Sequence, residues 1–134
     1  MKSIVAAALG VFVLVSPALA QSGDPSGTWL TESGETRVRI AKCGAVLCGT
    51  IIASTHPKDV NNPDPAKRER SLVGVQMITE IVPSGDAYSG QLYNPQVGRT
   101  YLGKMRLRSP KTMELSGCIL GGLICRSQTW TRVN

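Results

Sequence analysis

Histidine and aromatic residues are scarce in this sequence, and their scarcity excludes several classes of function. His56 is the only histidine, so a zinc site built on paired histidines is excluded. Aromatic residues make up 4% of the chain and are not interleaved with Lys and Arg as they are in proteins that bind single-stranded nucleic acid. No Gly-x-Ser-x-Gly or phosphate-loop motif occurs. We therefore predict no nucleic-acid partner, no metal, no cofactor and no enzymatic activity.

Long apolar runs are absent except at the amino terminus. Lys2 precedes an apolar run over residues 4–15, and the segment ends in Ala18-Leu19-Ala20. A basic start, an apolar centre and an Ala-x-Ala end are typical of a secretory signal peptide, and the run is shorter than the roughly 20 residues of a membrane helix. We predict that residues 1–20 are removed. Residues 21–134 then form one domain, periplasmic or secreted, with no transmembrane segment.

Basic residues exceed acidic ones, with 15 Lys and Arg against 9 Asp and Glu. They are scattered through strand-like segments instead of forming a run. A moderate excess of this kind serves solubility, and it also suits an anionic component of the cell envelope as a partner.

The four cysteines, Cys43, Cys48, Cys118 and Cys125, all follow the predicted signal peptide. Export to an oxidising compartment predicts disulfides, and four cysteines allow three connectivities. Each close pair brackets a turn between two strand patterns, where facing residues are at bridging distance. We therefore predict the bridges Cys43–Cys48 and Cys118–Cys125.

Apolar residues alternate with polar ones along most of the chain, which is the period of a half-buried strand. Short turn segments rich in Gly, Pro, Ser and Asp separate the alternating runs, and no convincing helical period occurs. Eight strands in sequence with no helix to cover them predict an all-β, up-and-down antiparallel barrel. The predicted strands are 27–32, 35–43, 48–54, 72–82, 87–93, 99–108, 112–118 and 125–133.

The two ends of the chain carry a motif that suggests how the barrel closes. Gly27-Thr28-Trp29 opens the first strand and Arg132 ends the last, which resembles the calycin signature of lipocalins. The resemblance implies that Arg132 stacks on Trp29 and that the pair plugs one end of the barrel. Because successive hairpins alternate between the two ends, the turns 33–34, 55–71, 94–98 and 119–124 are all expected at the opposite, open end.

The loop 55–71 at the open end contains most of the polar candidates, Asp59, Asn62, Arg68 and Arg70. Its oxygen-bearing side chains lack the spacing of a calcium loop, and Asx residues before proline favour turns instead. Arg68 and Arg70 offer two hypotheses. They clamp an anionic ligand, or they pair with Asp59 or Asp64 and hold the loop down; the second is favoured because so long a loop needs ordering.

Two further features belong to the open end. Tyr93 and Tyr101 flank the turn 94–98 and either line a pocket or complete the core. The hairpin turn 119–124, which includes Leu120, is apolar throughout, whereas turns are normally polar. It either makes contact with a partner, a membrane or a ligand, or folds back over the mouth as a plug.

Several motifs in combination resemble the uncharacterised bacterial family called domain of unknown function 2147. The resemblance implies a small exported protein with a calycin-like barrel. Asn94 departs from it, because the family usually has Asp in this turn. The motifs are Arg37-Val38-Arg39-Ile40, Cys43-Gly44, Leu47-Cys48-Gly49, Asn62-Pro63-Asp64-Pro65, Leu72-Val73-Gly74, Tyr93-Asn94-Pro95, Gly117-Cys118 and Gln128-Thr129-Trp130-Thr131-Arg132-Val133.

These observations favour a non-enzymatic binding module. The expected ligand is a small amphipathic or anionic molecule, with an envelope component as the other possible partner. The ligand-binding candidates are Asp59, Asn62, Arg68, Arg70, Tyr93, Tyr101 and Leu120. The alternatives are a structural or stress-related envelope protein with a solid barrel, and an enzyme that uses the Asp59 to Arg70 loop.

Overall fold

Alternation of apolar and polar residues produces the predicted sheet. In the computed structural model, which describes residues 23–134 and the isolated position Gly10, eight antiparallel strands form a closed barrel in sequence order. The predicted signal peptide, residues 1–20, lies outside the described residues apart from Gly10. The strands are β1 (Gly27–Leu30), β2 (Thr36–Cys43), β3 (Val46–Ser54), β4 (Gln76–Ser84), β5 (Ala87–Asn94), β6 (Arg99–Ser109), β7 (Thr112–Ile119) and β8 (Ile124–Arg132).

The first and last strands close the barrel along a short seam. β1 pairs with β8 at two positions, Trp29 opposite Arg132 and Leu30 opposite Thr131. By contrast, β7 and β8 pair along their whole length. The short first strand therefore pairs with β8 only at residues 131 and 132. Within residues 23–134, the part of β8 that precedes them has no partner strand on that side.

The start of β4 differs from the prediction. Residues 72–75 form a turn instead of the beginning of a strand, with Gly74 at a φ of 100°. Leu72 and Val75 are nevertheless buried in the core. An apolar run predicts burial, but here that burial comes from a turn that packs against the barrel.

The end of the barrel where β1 begins is filled by side chains. Trp29, Met113 and Trp130 are fully buried, and Val38 and Ile40 alternate with the exposed Arg37 and Arg39 on β2. The indole nitrogen of Trp29 donates to the carbonyl of Pro25 at 2.8 Å. Both large rings thus contribute apolar area, and the Trp29 N–H is not left unpaired.

Arg132 lies at this end of the barrel, over the ring of Trp29. Its guanidinium carbon lies 4.5 Å from the centroid of the Trp29 ring, which is a cation–π contact. The same guanidinium donates to the carbonyl of Pro110 at 2.8 Å and to that of Asp24 at 3.1 Å. Arg132 therefore joins the segment before β1 to the β6–β7 turn.

Two disulfides clip hairpins at opposite ends of the barrel, and both predicted bridges are confirmed. Cys43–Cys48 spans the β2–β3 turn at the plugged end, and Cys118–Cys125 spans the base of the β7–β8 turn at the open end. Cys118 and Cys125 face each other in the strand register. Cys43 and Cys48 are instead opposite Val46 and Ala41, but their Cα atoms are 5.8 Å apart, which is within bridging distance. Among residues 23–134, no helix is long and apolar enough to span a membrane.

Candidate ligand-binding site

A cavity of about 670 Å³ occupies the open end of the barrel. Its apolar wall is formed by the buried side chains of Leu72, Met77 and Leu92. Small-molecule sites typically enclose about 300–1,000 Å³ and combine an apolar wall with a few polar groups. The barrel is therefore filled by side chains at the plugged end, whereas a pocket open to solvent lies at the open end.

Charged side chains at the rim of the cavity are already paired. Glu35 contacts His56 at 3.0 Å, and Lys58 contacts Glu69 at 2.6 Å. The carboxylate of Glu32 accepts a 2.6 Å hydrogen bond from the backbone N–H of Thr129 on β8. Each of these charged side chains therefore has a hydrogen-bond partner, although the partner of Glu32 is a neutral backbone N–H.

The β3–β4 loop, residues 55–75, covers one side of the opening and is fastened to the neighbouring turn. The amide of Asn61 donates to the carbonyls of Gln96 at 2.9 Å and Pro95 at 3.3 Å. Gly98 has a φ of 69°, and a Cβ on it would lie 1.8 Å from the carbonyl oxygen of Asn61. Glycine at 98 is therefore required for the loop to pack this closely on the β5–β6 turn.

Asp59 is the centre of a hydrogen-bond network beneath the same loop. Its carboxylate is fully buried. It accepts hydrogen bonds from the amide of Asn62 at 2.7 Å and from the hydroxyl of Tyr93 at 2.7 Å. Arg70 adds two contacts of 2.9 Å, from Nε and Nη2, to one carboxylate oxygen. The network ties both ends of the loop to β5.

Hydrogen bonding decides the protonation state of Asp59. Burial alone raises the pKa of a carboxyl, but the bonds from Asn62, Tyr93 and Arg70 outweigh it and hold the pKa of Asp59 below its ordinary value. Burial, together with the donated bond to the Asp59 carboxylate, raises the pKa of Tyr93 to about 12. At neutral pH the pair is therefore a carboxylate that accepts from a neutral phenol.

The other polar residues of the loop also bond within it. Arg68 donates from Nε to the backbone carbonyl of Asn62 at 2.8 Å. The carboxylate of Asp64 accepts from the N–H of Ala66 at 3.0 Å and begins a 3₁₀ turn over Pro65–Lys67. These oxygens thus form turns, as the Asx-Pro pattern predicts.

In residues 23–134 no group of three His, Cys, Asp or Glu side chains is arranged to hold a metal ion.

The seven predicted ligand-binding residues are all placed by the structure, but none of them lines the cavity. Five of them lie together where the loop meets β5, and they hydrogen-bond to one another or to the loop backbone. These five are Asp59, Asn62, Arg68, Arg70 and Tyr93. Of the two hypotheses for the arginines, pairing with Asp59 is realised by Arg70, and Arg68 uses a carbonyl instead of a carboxylate.

Tyr101 and Leu120 lie apart from this cluster. A Cβ on Gly117 would lie 3.5 Å from the ring of Tyr101, so the tyrosine packs over β7. Leu120 is 67% exposed and its neighbour Leu123 is 85% exposed. The alternative in which the apolar turn folds back as a plug is therefore wrong, because its side chains face solvent and line no part of the cavity.

Sequence reasoning did not propose the residues that line the cavity as ligand contacts, although Leu72, Asn94 and Gln128 belong to motifs of the family resemblance. Thr36, Leu92 and Gln128 are ordinary strand residues. Their positions nevertheless contain a usable signal, since each is near the open-end terminus of its strand or alternates with outward-facing neighbours. Combining alternation with the parity of the hairpins would have selected them.

The sequence matches, over residues 27–132, the family described as uncharacterized protein conserved in bacteria (DUF2147). The chain belongs to this family. The matched range begins at β1 and ends at the last residue of β8, so the DUF2147 domain is the whole barrel. No curated protein sequence matches the chain.

A solved structure shares the fold of this DUF2147 barrel. It is protein HP1028 from Helicobacter pylori, which is described as belonging to the lipocalin family. The two chains superpose with a TM-score of 0.72 and are 23% identical, over 83% of this chain and 84% of the other. The similarity confirms the predicted lipocalin-like barrel.

Proposed function

We propose that this DUF2147 barrel binds one small amphipathic ligand in the cavity at its open end. The observation that supports this most strongly is the division of the interior. Trp29, Trp130 and Met113 fill the plugged end, whereas the open end holds a cavity of about 670 Å³. A purely structural barrel could fill this space with side chains, as the plugged end does, whereas a recess with an apolar floor suits a bound molecule.

The lining of the cavity supports an amphipathic ligand. An apolar part would pack on Leu72, Met77 and Leu92, and a polar part would reach Asn94 and Gln128 near the rim. An anionic head group held by Arg68 and Arg70 is not favoured, because neither arginine lines the cavity and both donate hydrogen bonds within the loop. A ligand with a neutral polar end, able both to donate and to accept hydrogen bonds, suits the paired charges of the rim.

The disulfides support action outside the cytoplasm. Cys118–Cys125 lies on the exposed β7–β8 hairpin, and bridges of this kind persist in oxidising compartments. Together with the predicted signal peptide, they support a ligand met in the periplasm or outside the cell.

An enzyme built on the Asp59 to Arg70 loop is the weaker hypothesis. The shifted pKa values of Asp59 and Tyr93 are of the kind found in active sites. However, Asp59 is fully buried, and both oxygens of its carboxylate accept hydrogen bonds from Asn62, Arg70 or Tyr93. A structural role in fastening the loop explains both shifts without a substrate.

Native mass spectrometry tests the proposal. The protein is purified from a bacterial host under non-denaturing conditions and sprayed intact. We expect a population heavier than the chain by the mass of one small molecule, which is lost on collisional activation. If only the bare chain is found, and no compound of a metabolite library raises its melting temperature, the solid-barrel alternative is favoured instead.

A further inference from the structure

The β7–β8 turn has an exposed apolar surface that the ligand cavity does not use. Ile119, Leu120, Leu123 and Ile124, here called the apolar tip, are all exposed, Leu123 to 85%. Leu102, on the neighbouring strand β6, is exposed beside them. A cluster of exposed aliphatic side chains on one turn is unusual in a domain of this size and marks an interaction site.

The backbone of the turn keeps the apolar tip outside the barrel. Leu120 has a φ of 54°, in the left-handed region that a branched residue rarely adopts. Gly121 and Gly122 follow with φ of 67° and 96°, and the Cys118–Cys125 bridge closes the base of the hairpin. Strain of this kind persists where the surrounding structure enforces it, often at functional sites. The tip is thus a constrained protrusion.

Charge is distributed very unevenly between the two halves of the barrel. Residues 87–134, which form β5 to β8, contain seven Lys and Arg but only one acidic residue, Glu114. Residues 23–86 contain seven Lys and Arg and eight Asp and Glu. The half of the barrel that includes the apolar tip is therefore strongly basic, and the other half is close to neutral.

The cations nearest the apolar tip are exposed and have no acidic partner. Lys104 is adjacent to the turn, since its Nζ lies 3.6 Å from the position of a Cβ on Gly122. Arg126 follows the tip by two residues, and both side chains are exposed. Within residues 23–134 neither forms a salt bridge, whereas Arg106 and Arg108, farther along β6, pair with acidic residues.

We propose that the apolar tip inserts into the surface of an anionic lipid bilayer. Protruding aliphatic side chains flanked by unpaired cations match the two components of such a surface, acyl chains beneath negatively charged head groups. A protein partner with a concave apolar pocket would not require the surrounding positive charge. This docking would turn the open end of the barrel toward the lipid, and it does not depend on whether the cavity binds a ligand.

Vesicle co-sedimentation tests this proposal. The protein is mixed with vesicles of phosphatidylglycerol or of phosphatidylcholine. The wild type and all variants begin at the same residue, so that only the substituted side chain differs between them. We expect binding to phosphatidylglycerol that weakens with added salt, and little binding to phosphatidylcholine. Leu123→Asp should weaken binding at least about tenfold, because it removes an inserted aliphatic side chain and adds a negative charge. Lys104→Glu should weaken it severalfold.

Two matched controls separate the apolar tip from the rest of the surface. Val82→Asp changes an aliphatic residue that is 39% exposed near the β4–β5 turn, and Lys42→Glu changes an exposed cation near the β2–β3 turn, both at the plugged end, which would face away from the lipid. Both should bind vesicles like the wild type, or nearly so. The proposal is overturned if the wild type does not sediment with anionic vesicles, or if the controls weaken binding as much as the tip variants. It is also overturned if Leu123→Asp changes only the oligomeric state, which would identify the tip as a protein contact.

Discussion

The hydroxyl of Tyr93 on β5 donates a 2.7 Å hydrogen bond to the buried carboxylate of Asp59, and this contact fastens the β3–β4 loop to the barrel wall. Arg70, at the far end of the loop, bonds to the same carboxylate. The Asp59 carboxylate thus joins the two ends of the loop to each other and holds the loop to β5. Since Leu72 in this loop forms part of the cavity wall, the network also shapes the cavity.

Replacing Arg70 should destabilise the protein more than replacing Arg68. Arg70→Ala leaves the buried carboxylate of Asp59 with fewer donors and should lower the free energy of unfolding by about 2 kcal/mol, a figure that allows for the 38% exposure of Arg70. Arg68→Ala removes a bond to a backbone carbonyl and should cost about 1 kcal/mol or less. Urea denaturation measures both. Equal decreases in the free energy of unfolding for the two variants would show that the buried Asp59 carboxylate does not require the contacts from Arg70.

Acid should unfold the wild type partly through Asp59. The pKa of Asp59 is lowered in the folded state, so the unfolded chain takes up a proton first as the pH falls. The stabilisation is complete above the unfolded pKa of about 3.9 and is lost as the pH falls through the folded value. Asp59→Asn should be less stable at neutral pH but lose less stability between about pH 5 and pH 2. Denaturation at several pH values tests this, and parallel pH profiles would contradict it.

Alkaline pH should destabilise the folded protein by deprotonating Tyr93. Its pKa is raised to about 12 in the folded state, against about 10 in an unfolded chain. The resulting stabilisation is therefore complete below about pH 10 and is lost as the pH rises toward 12. Tyr93→Phe should be less stable at neutral pH by about 1–2 kcal/mol, and it should lack the tyrosinate absorbance step near pH 12. If that step remains in the variant, the assignment of the pKa to Tyr93 fails.

The plugged end should depend more on Trp29 than on the cation above it. Trp29→Ala removes a fully buried ring and should cost about 3–5 kcal/mol. Arg132→Ala removes the stacking contact and the bonds to Pro110 and Asp24, and should cost about 1–2 kcal/mol. Thermal unfolding followed by circular dichroism compares them. A larger loss for Arg132→Ala would mean that the guanidinium bonds, and not the buried ring, hold this end together.

The barrel itself could be predicted because its determinants are local. Alternation of the kind seen from Arg37 to Ile40 identifies a strand and its buried face, and short turns make sequential strands neighbours. Sequential pairing in turn brings Cys118 opposite Cys125 and β8 beside Trp29. Leu72 shows the limit of this reasoning, since an apolar residue is buried equally well from a turn as from a strand.

The site could be predicted only in part, because side-chain partners depend on contacts between distant segments. Hairpin parity correctly gathers the loop and Tyr93 at one end. The sequence does not distinguish an arginine that faces a ligand from one, such as Arg70, that meets Asp59. The cavity was missed because its wall is formed by unremarkable strand residues such as Leu92.

Fluorescent-probe titration with paired tryptophan variants tests the central claim, that the open end of the barrel binds a small ligand. Thr36→Trp places a large ring in the cavity lining, and Thr50→Trp places the same ring on the adjacent strand β3, at a position that does not line the cavity. N-phenyl-1-naphthylamine, an uncharged fluorophore with an apolar body, is the probe, and Leu123→Asp in every chain removes binding at the apolar tip.

We predict saturable binding of one probe molecule to the parent chain and to Thr50→Trp, with affinity at least about tenfold lower for Thr36→Trp, because the ring occupies the volume that the probe needs. Trp130 donates a hydrogen bond to Gln128, which lines the cavity, so the probe should also quench intrinsic tryptophan fluorescence of the parent. Binding that is absent from the parent chain, or equally weak in both tryptophan variants, would contradict the account.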